Sequence, residues 1–349
     1  MKQTMTLFCV CLLLFLSLFT AQTQASAEEP DWVSAYETVL TERMVRVCEG
    51  YEDPGFGPEI EYTVYDIDKD GTPELIVKSG TCEADYIGAL YSFRDGKAFQ
   101  FGEEIGLGHS SLYTDPGENG IILLYGHMGE ARAIRISLED GYAEELLYED
   151  DLNARLREDP DADYLRPGDV IPGSVYLTPC RWGITLPLTR YEEISRLLEG
   201  EFPGTTESYF PQYYGAFYED ILANNAEVFA VTADGFSNSP KWIGFQDLLK
   251  QNIAASYMSG DLTILSAELA DLNGDGKIEC VAAVTDGGGE MRIVLSEQEG
   301  VVYAYLINYA EGYELDEHGN FRIETPYYTS RRRLIFDGEE AFLLTLPTM

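Results

Sequence analysis

Two short acidic loops with the same spacing constrain this chain more than any other feature. The first runs from Asp66 to Glu74, and the second runs from Asp271 to Glu279. Each has oxygen-bearing side chains at loop positions 1, 3, 5 and 9, and a glycine at position 6 that makes a sharp turn. A hard cation such as Ca²⁺ takes about six to eight oxygen ligands. The two loops therefore predict two calcium sites, and their matching contexts predict a duplicated domain.

The residues around the loops predict strands. Apolar runs stand immediately before and after each loop, for example over residues 62–65 and 75–78. Farther on, Asp-Gly and similar pairs separate further strand-like runs, which is typical of antiparallel hairpins. Apolar residues at helical spacing precede the strands over residues 31–47 and 211–223. We therefore expect an α+β fold of two tandem repeats, each an N-terminal helix followed by an antiparallel β meander with a calcium-type loop.

Landmarks along the chain set the expected boundaries of the repeats. A Tyr-Glu-x-x-Leu motif begins at Tyr36 and again at Tyr218, ahead of the first and the second loop. The second copy has a longer stretch before its loop, and apolar spacing there predicts an inserted helix near 245–258. Residues 28–150 are thus assigned to the first repeat and residues 206–349 to the second.

Residues 151–205 form the predicted connection between the repeats. An acidic beginning followed by Pro160, Pro167, Pro172 and Pro179 is typical of such a segment. Within it, Thr189 and Glu192 have the spacing of a capping box, which predicts a helix over 190–199. Its apolar face predicts packing on the first repeat.

The first 27 residues are typical of a secretory signal peptide. Lys2 precedes an apolar run over residues 7–19, and the small residues 25–27 follow that run. The run is shorter than the roughly 20 residues that a membrane-spanning helix needs. We therefore expect a secreted chain that begins at Glu28 and has no membrane span.

The charge of the chain limits its partners. The formal net charge is -38, and such a field repels nucleic acid and anionic membranes. The one basic run consists of Arg331, Arg332 and Arg333, in a strand-like segment among many acids. Local ion pairs are expected there rather than phosphate binding.

Four cysteines remain after the signal peptide, and a secreted chain can keep disulfides. Cys48 and Cys82 flank the first loop and can close a ring around it. The alternative is a set of buried free thiols that also includes Cys180 and Cys280. The sequence leaves the pairing open, and it contains no cysteine motif typical of zinc.

Two better-known calcium motifs fit the loops less well. An EF-hand has a bidentate glutamate at position 12 and helices on both sides. Val77 and Ala282 occupy position 12 here, and the flanking segments are strand-like. The second loop is also similar to cellulosomal dockerin loops, but those loops lie close together and lead into helices.

The loops resemble the Asp-x-Asp-x-Asp-Gly-x-x-Asp/Glu loops that join strands in integrin-type FG-GAP repeats and related secreted bacterial repeats. The tyrosine-containing helix followed by residues 65–76 is similar to exported bacterial proteins of uncharacterised function. This resemblance implies calcium ligands from the side chains at positions 1, 3, 5 and 9 and from the backbone carbonyl at position 7. Those positions are Asp66, Asp68, Asp70, Thr72 and Glu74 in the first loop, and Asp271, Asn273, Asp275, Lys277 and Glu279 in the second.

Two further expectations follow from the ligand sets and from the number of repeats. The first loop offers four carboxylates and the second offers three, which predicts tighter calcium binding in the first. A propeller needs at least about four blades, so two copies do not close one.

The sequence favours binding over catalysis. It lacks the HExxH, GxSxG and Walker motifs. We expect a non-enzymatic binding or cell-surface interaction module in which calcium is structural and the partner is an extracellular protein or glycan. The alternative is an extracellular hydrolase of glycosidase type, with paired carboxylates, on the same scaffold.

Two other groups of residues are candidate sites. His109 and His127 could share a site with Ser110 or Ser111, although a surface or turn role is favoured for both histidines. Exposed aromatic rings can stack on sugars, and a cluster of them consists of Tyr209, Phe210, Tyr213, Tyr214, Phe217 and Tyr218. Helical spacing places the last three of these toward a core instead.

Overall fold

The computed structural model describes residues 31–48, 59–138, 141–151, 154, 157, 171–181, 183–202, 211–233, 240–250, 261–308, 310, 312–324 and 329–347. The predicted signal peptide, Tyr209, Phe210, the side chain of Cys48 and residues 152–153, 155–156, 158–170, 182 and 203–205 of the predicted connection lie outside the described residues. The described part has an α+β fold dominated by antiparallel sheets, as expected.

Five helices are found in the described ranges. They are α1 (Asp31–Cys48), α2 (Leu186–Thr189), α3 (Tyr191–Leu198), α4 (Pro211–Ala223) and α5 (Phe245–Lys250). Helices α1 and α4 match the predicted spans closely, because apolar residues at helical spacing face a sheet in both. Helix α5 begins where the inserted helix is predicted, and residues 251–258 of that prediction lie outside the described residues.

The first nine strands belong to two antiparallel sheets. Sheet A has the order β4-β3-β2-β1-β9, and sheet B has the order β5-β6-β7-β8. The strands are β1 (Glu59–Tyr65), β2 (Glu74–Gly80), β3 (Ile87–Arg94), β4 (Lys97–Gly106), β5 (Ser110–Thr114), β6 (Ile121–His127), β7 (Glu130–Ser137), β8 (Ala143–Asp151) and β9 (Cys180–Arg181).

The remaining strands form two more sheets. Sheet C has the order β11-β10-β15-β14-β13-β12, in which β10 and β15 are parallel, and sheet D has the order β16-β17-β18-β19. The strands are β10 (Glu227–Thr232), β11 (Lys241–Gly244), β12 (Thr263–Ala270), β13 (Glu279–Thr285), β14 (Glu290–Gln298), β15 (Val301–Ile307), β16 (Glu314–Leu315), β17 (Phe321–Glu324), β18 (Thr329–Asp337) and β19 (Glu340–Leu346).

Tight turns join the strands at the positions where Asp-Gly and similar residue pairs predict hairpins. Asp95 and Gly96 between β3 and β4 both have positive φ, at 52° and 76°, and Glu299 and Gly300 between β14 and β15 have 52° and 84°. Two consecutive positive φ angles give the turn a twist that matches the twist of the flanking strands. The hairpin predictions at these positions are therefore confirmed.

The four sheets pack into layers. One face of sheet A packs on sheet B, and its other face packs on α1, on α2 with α3, and on β19. One face of sheet C packs on α4 and α5, and its other face packs on sheet D.

Sheet D is apolar on both faces. On β19, Phe342 and Leu344 point into the core that contains sheet A, whereas Ala341 and Leu343 point into the core that contains sheet C. The side chain of Thr185 also donates a hydrogen bond to Glu340, at 2.9 Å. The β18–β19 hairpin therefore packs into a core of the N-terminal half with one face and into a core of the C-terminal half with the other.

The capping box predicted for the connection is wrong. Helix α3 begins after Arg190, which makes no side-chain cap. Thr189 is instead the last residue of α2, and its hydroxyl donates a hydrogen bond to the Leu186 carbonyl at 3.0 Å. A threonine that is already helical bonds back to its own turn, so it does not cap the next helix.

Of the two alternatives left open for the cysteines, the bridge between Cys48 and Cys82 is excluded, because Cys82 is free. Cys82 is an exposed free thiol in a turn that Asp85 holds by accepting hydrogen bonds from the Thr81 and Cys82 backbone. Cys180 and Cys280 are buried and free, as in the alternative. Burial raises the pKa of the Cys280 thiol to about 12, which keeps it protonated.

The arginine run makes local contacts on β18. Arg331 forms an ion pair with Asp316 at 2.9 Å, and Arg333 donates hydrogen bonds to the His318 carbonyl and to Asn320. Both guanidinium groups are buried. The prediction of local ion pairs is therefore confirmed for Arg331. None of the described helices is long and apolar enough to cross a membrane.

We predict that Asp316→Asn lowers the free energy of unfolding by about 2–3 kcal/mol at neutral pH, because it leaves buried Arg331 without a counter-ion. Burial alone would raise the pKa of Asp316, but hydrogen bonds from Asn320, from the backbone and from Arg331 outweigh it and lower the pKa. The contribution is therefore present above the unfolded pKa of about 3.9 and is lost as pH falls through the folded pKa.

Urea unfolding of both proteins over a pH series measures this difference. The gap between wild type and variant should close in acid, and a gap that stays constant there would contradict the assignment.

Candidate metal centre

The first acidic loop, residues 66–74 and called loop 1 below, joins β1 to β2. Its aspartate carboxylates accept hydrogen bonds from the backbone of the same loop. Asp66 accepts the Gly71 N–H at 3.0 Å, Asp68 accepts the Asp70 N–H at 3.2 Å, and Asp70 accepts the Thr72 N–H at 2.7 Å. These bonds tie the side chains at loop positions 1, 3 and 5 to backbone N–H groups of the same loop.

Residues 271–279, called loop 2 below, join β12 to β13 and repeat this pattern. Asp271 accepts the Gly276 N–H at 3.0 Å, Asn273 accepts the Asp275 N–H at 3.1 Å, and Asp275 accepts the Lys277 N–H at 2.7 Å. The three bonds join the same loop positions as in loop 1 and have nearly the same lengths. Strands flank both loops, which excludes an EF-hand arrangement.

A buried glutamate closes each loop at position 9. Glu74 is 1% exposed and accepts the Ile67 N–H at 2.8 Å, and Glu279 is 2% exposed and accepts the Leu272 N–H at 2.9 Å. A serine on the neighbouring strand hydrogen-bonds to each of them, Ser92 in the first case and Ser296 in the second. The two glutamates therefore have the same position, the same backbone partner and the same type of side-chain partner.

The electrostatics of both sites favour a cation. Burial, followed by the charges of neighbouring loop aspartates, raises the pKa of Glu74 and of Glu279 to about 8. Burial also raises the pKa of Asp66. Carboxyl groups held together out of water resist ionisation. A bound divalent cation would offset the free-energy cost of ionising these carboxyl groups.

Loop 1 brings three predicted ligands into one cluster. Ligand oxygens of Asp66, Asp68 and Glu74 all lie within 4.8 Å of one another. The second Asp66 oxygen, Oδ1, is buried and accepts no hydrogen bond. A buried carboxylate oxygen without a donor is costly, and a cation coordinated by that oxygen would satisfy it. The residues present therefore fit a calcium ion.

The other predicted ligands are placed less directly. Asp70 is exposed and turns toward the Thr72 N–H. In loop 2, Asn273 donates from its amide to Asp275 at 3.2 Å, and the Lys277 side chain is exposed. A three-carboxylate cluster of the loop 1 type is not found in loop 2, which lies wholly within the described residues.

Sequence reasoning missed the cations beside the loops. In loop 1, Lys69 donates to the Tyr65 hydroxyl at 2.6 Å and to the Asp66 carbonyl at 2.7 Å, and Arg94 lies 4.0 Å from Asp68. Beside loop 2, buried Arg333 comes from sheet D, and Asp271 is among the acids whose charge acts on it. Arg333 lies far from loop 2 in the chain, so no local pattern reveals it.

A cleft opens beside loop 2. It has a volume of about 470 Å³ and is lined by Asn273, Asp275, Lys277 and Arg190, together with strand residues that include Tyr303. A second cleft of about 390 Å³, which also contacts Arg190 and Asn273, lies next to helix α3. Loop 2 therefore borders space large enough for a small ligand.

The other candidate sites are also located. The rings of His109 and His127 stack, with centroids 3.8 Å apart. Tyr218 is buried, and Tyr214 and Phe217 pack against the same core, as predicted, whereas Tyr213 is 64% exposed. A broad aromatic platform is therefore absent from the described part of this helix.

No protein-family model, no curated protein and no solved structure matches this chain.

We predict that Gly71→Ala lowers the free energy of unfolding by about 1–2 kcal/mol, because Gly71 has a φ of +90° that an L-residue adopts only with strain. A Cβ at Gly71 would meet nothing within 4 Å, so a steric clash does not contribute. Gly117 is the control, since it also has open space around it but has an ordinary φ. Gly117→Ala should be neutral or slightly stabilising in the same thermal melts. Equal losses for the two variants would contradict the role assigned to the loop backbone.

Proposed function

We propose that this protein is a secreted, calcium-stabilised tandem-repeat protein that acts as a non-enzymatic binding or cell-surface interaction module. The observation that carries the calcium assignment is the cluster of Asp66, Asp68 and Glu74, with its buried and unpartnered oxygen. Both loops would hold Ca²⁺ through the residues that the FG-GAP resemblance implies. The signal-peptide pattern and the acidic surface support export to a calcium-containing exterior.

The tandem repeat is supported by corresponding contacts around the two loops. Besides the loop hydrogen bonds, a buried helix tyrosine approaches each hairpin. Tyr36 donates to the Pro73 carbonyl at 2.6 Å, and Tyr218 accepts the Glu297 N–H at 3.2 Å. The strand order β1-β2-β3-β4 in sheet A corresponds to β12-β13-β14-β15 in sheet C.

The second sheets of the two halves correspond as well. In sheet B, Asp115 precedes β6 and pairs with Arg135 on β7 at 2.6 Å. In sheet D, Asp316 precedes β17 and pairs with Arg331 on β18 at 2.9 Å. Both arginines lie opposite the second residue of the preceding strand. An ion pair at the same register position in both sheets is a signature expected of duplication.

Calcium would act as a structural element in this proposal. Each loop is a long connection whose acids repel one another, and a cation would hold it in one shape. At a calcium concentration about 100 times the dissociation constant, binding adds about 2.7 kcal/mol per site to stability. That gain is a large fraction of the stability of an ordinary domain.

The binding role rests on what surrounds these sites. Folded loops on a rigid scaffold are common places for recognition, and loop 2 borders the cleft with Tyr303 and Arg190. An extracellular protein or glycan is the proposed partner class. A nucleic acid is disfavoured by the net charge of -38.

An extracellular hydrolase is the second candidate. The observation that favours it is the same cleft, because the acids Asp275, Glu297 and Asp337 line it. Release of reducing sugar from a panel of extracellular polysaccharides, abolished by Glu297→Gln, would support the hydrolase over the binding module.

We predict that calcium raises the melting temperature of the secreted chain and that magnesium does so less, since the loops offer many flexible oxygen ligands. Asp66→Ala and Asp271→Ala should each remove part of the rise. The loss should appear at lower calcium concentration for Asp66→Ala, because loop 1 has more carboxylates and is expected to bind more tightly.

Differential scanning calorimetry over a calcium titration tests this. Glu103→Ala removes an exposed acid outside both loops and should keep the full response. A calcium response that is absent from wild type, or equal in all four proteins, would refute specific sites.

We also predict that Glu74→Gln distinguishes two interpretations of loop 1, a metal site and a metal-free acidic turn. Glutamine keeps the shape and the acceptor for the Ile67 N–H but cannot ionise, so it removes the carboxylate that a cation needs without adding a buried charge. The metal-free variant should therefore melt at or above the temperature of metal-free wild type, while the calcium response of loop 1 is lost. Calcium titration calorimetry on the same samples should show one site fewer. A variant that is destabilised without metal and still binds two ions would count against the assignment.

A further inference from the structure

The β3–β4 hairpin and the β14–β15 hairpin each carry a pair of neighbouring aromatic rings. Phe99 and Phe101 stand three and five residues after the glycine of the β3–β4 turn. Tyr303 and Tyr305 stand three and five residues after the glycine of the β14–β15 turn. The ring centroids are 4.7 Å apart in the first pair and 6.0 Å apart in the second. The two hairpins therefore present comparable ring pairs at the same distance from their turns.

A cation of the chain itself lies over the first ring pair. The guanidinium carbon of Arg94 is 5.3 Å from the centroid of Phe99 and 5.1 Å from that of Phe101. Its Nη2 atom lies 4.0 Å from Oδ2 of Asp68 in loop 1. The negative face of an aromatic ring attracts a guanidinium, and a carboxylate adds a second attraction. The ring pair of the first half therefore holds a guanidinium group.

The second ring pair has no such cation. Gln298 takes the position of Arg94, immediately before the two turn residues. Its amide donates to the Tyr305 hydroxyl at 2.9 Å and accepts the Gly338 N–H at 2.8 Å. Among the described residues no cation lies over the ring of Tyr303, which lines the cleft of about 470 Å³ beside loop 2. Tyr303 therefore borders open space instead of a cation from its own chain.

The cleft around Tyr303 is acidic. It is lined by four acids and two bases, which are Asp275, Glu297, Glu299, Asp337, Arg190 and Lys277. These four negative and two positive charges give the cleft a net charge of -2. Burial, followed by the charges of Glu339, Glu299 and Asp337, raises the pKa of Tyr303, so three carboxylates act on this ring. A concave site of one sign attracts charges of the other sign.

The two bases of the cleft do not take the place of Arg94. Arg190 pairs with Glu193 at 2.6 Å, and Lys277 is an exposed residue of loop 2. The volume of the cleft suits a small ligand or a single side chain of a partner better than the face of a folded protein.

We propose that this cleft binds a guanidinium group, carried by free arginine or by an arginine side chain of a partner peptide. Tyr303 would present its ring face to the planar group, while Glu299 and Asp337 would accept hydrogen bonds from its N–H groups. The first half supports a guanidinium as the ligand, because Arg94 occupies the comparable ring pair there. This inference rests on the proposed binding role, narrows its partner class and does not depend on calcium binding.

Titration calorimetry with two capped tripeptides tests the proposal on wild type alone. Gly-Arg-Gly carries the guanidinium, and Gly-citrulline-Gly has nearly the same shape without the charge. The arginine peptide should bind at one site, and the citrulline peptide should bind at least about tenfold more weakly. Free L-arginine distinguishes the two sources of the group. Equal affinity for arginine and for the arginine peptide would indicate a small-molecule ligand, whereas binding of the peptide alone would indicate a partner peptide.

Tyr303→Leu locates the site. It keeps an apolar side chain but removes the ring face, so it should weaken binding of the arginine peptide about fivefold or more. Phe99→Leu is the matched control, because Phe99 stands at the comparable position and already lies beside Arg94. It should bind the peptide like wild type. Melting temperatures of both variants check that they are folded.

Three results would overturn the proposal. They are equal affinities for the arginine and citrulline peptides, no binding of any arginine probe, and peptide binding that Tyr303→Leu leaves unchanged. The last result would indicate unspecific attraction of a cation to a chain with a net charge of -38. The calcium melts are read separately, so failure here leaves the metal assignment intact.

Discussion

The burial of one glutamate beneath each acidic loop is the constraint on which the rest of the structure depends. Glu74 and Glu279 are almost fully buried, and each is the first residue of an interior strand of its sheet. A carboxylate at such a depth must be hydrogen-bonded, and it must either be neutral or face a cation. The backbone N–H of Ile67 and of Leu272 provides the hydrogen bond. Satisfying this one group ties the end of each loop to its beginning, because position 9 bonds to the backbone of position 2.

The sheets around these glutamates explain why the acids are tolerated. Each hairpin lies between an apolar layer of helices and an apolar second sheet, so the strands are held from both faces. The loop at the end of the hairpin then has little freedom. Lys69 and Arg94 beside loop 1, and Arg333 beside loop 2, partly offset the acids from outside the ligand set.

Local sequence patterns predicted the hairpins, the α1 and α4 spans and the placement of Tyr214, Phe217 and Tyr218, because each depends on contacts between near neighbours. The same patterns failed where distant segments decide the outcome. Thr189 and Glu192 have capping-box spacing, yet a short helix before α3 changed the role of Thr189. Within the candidate site, the ligand positions follow from loop spacing, whereas Arg333 comes close enough to feel the charge of Asp271 only through the packing of sheet D. No periodicity in one segment specifies its partner in another.

The two apolar faces of sheet D have a consequence for how the molecule comes apart. Side chains of β19 alternate between the core of the first half and the core of the second. Detaching this hairpin would expose both cores to water at once. The two halves are therefore expected to unfold in one cooperative event. A protease would then meet few partly opened forms, and the lifetime of the protein would be set by the rate of that single global opening.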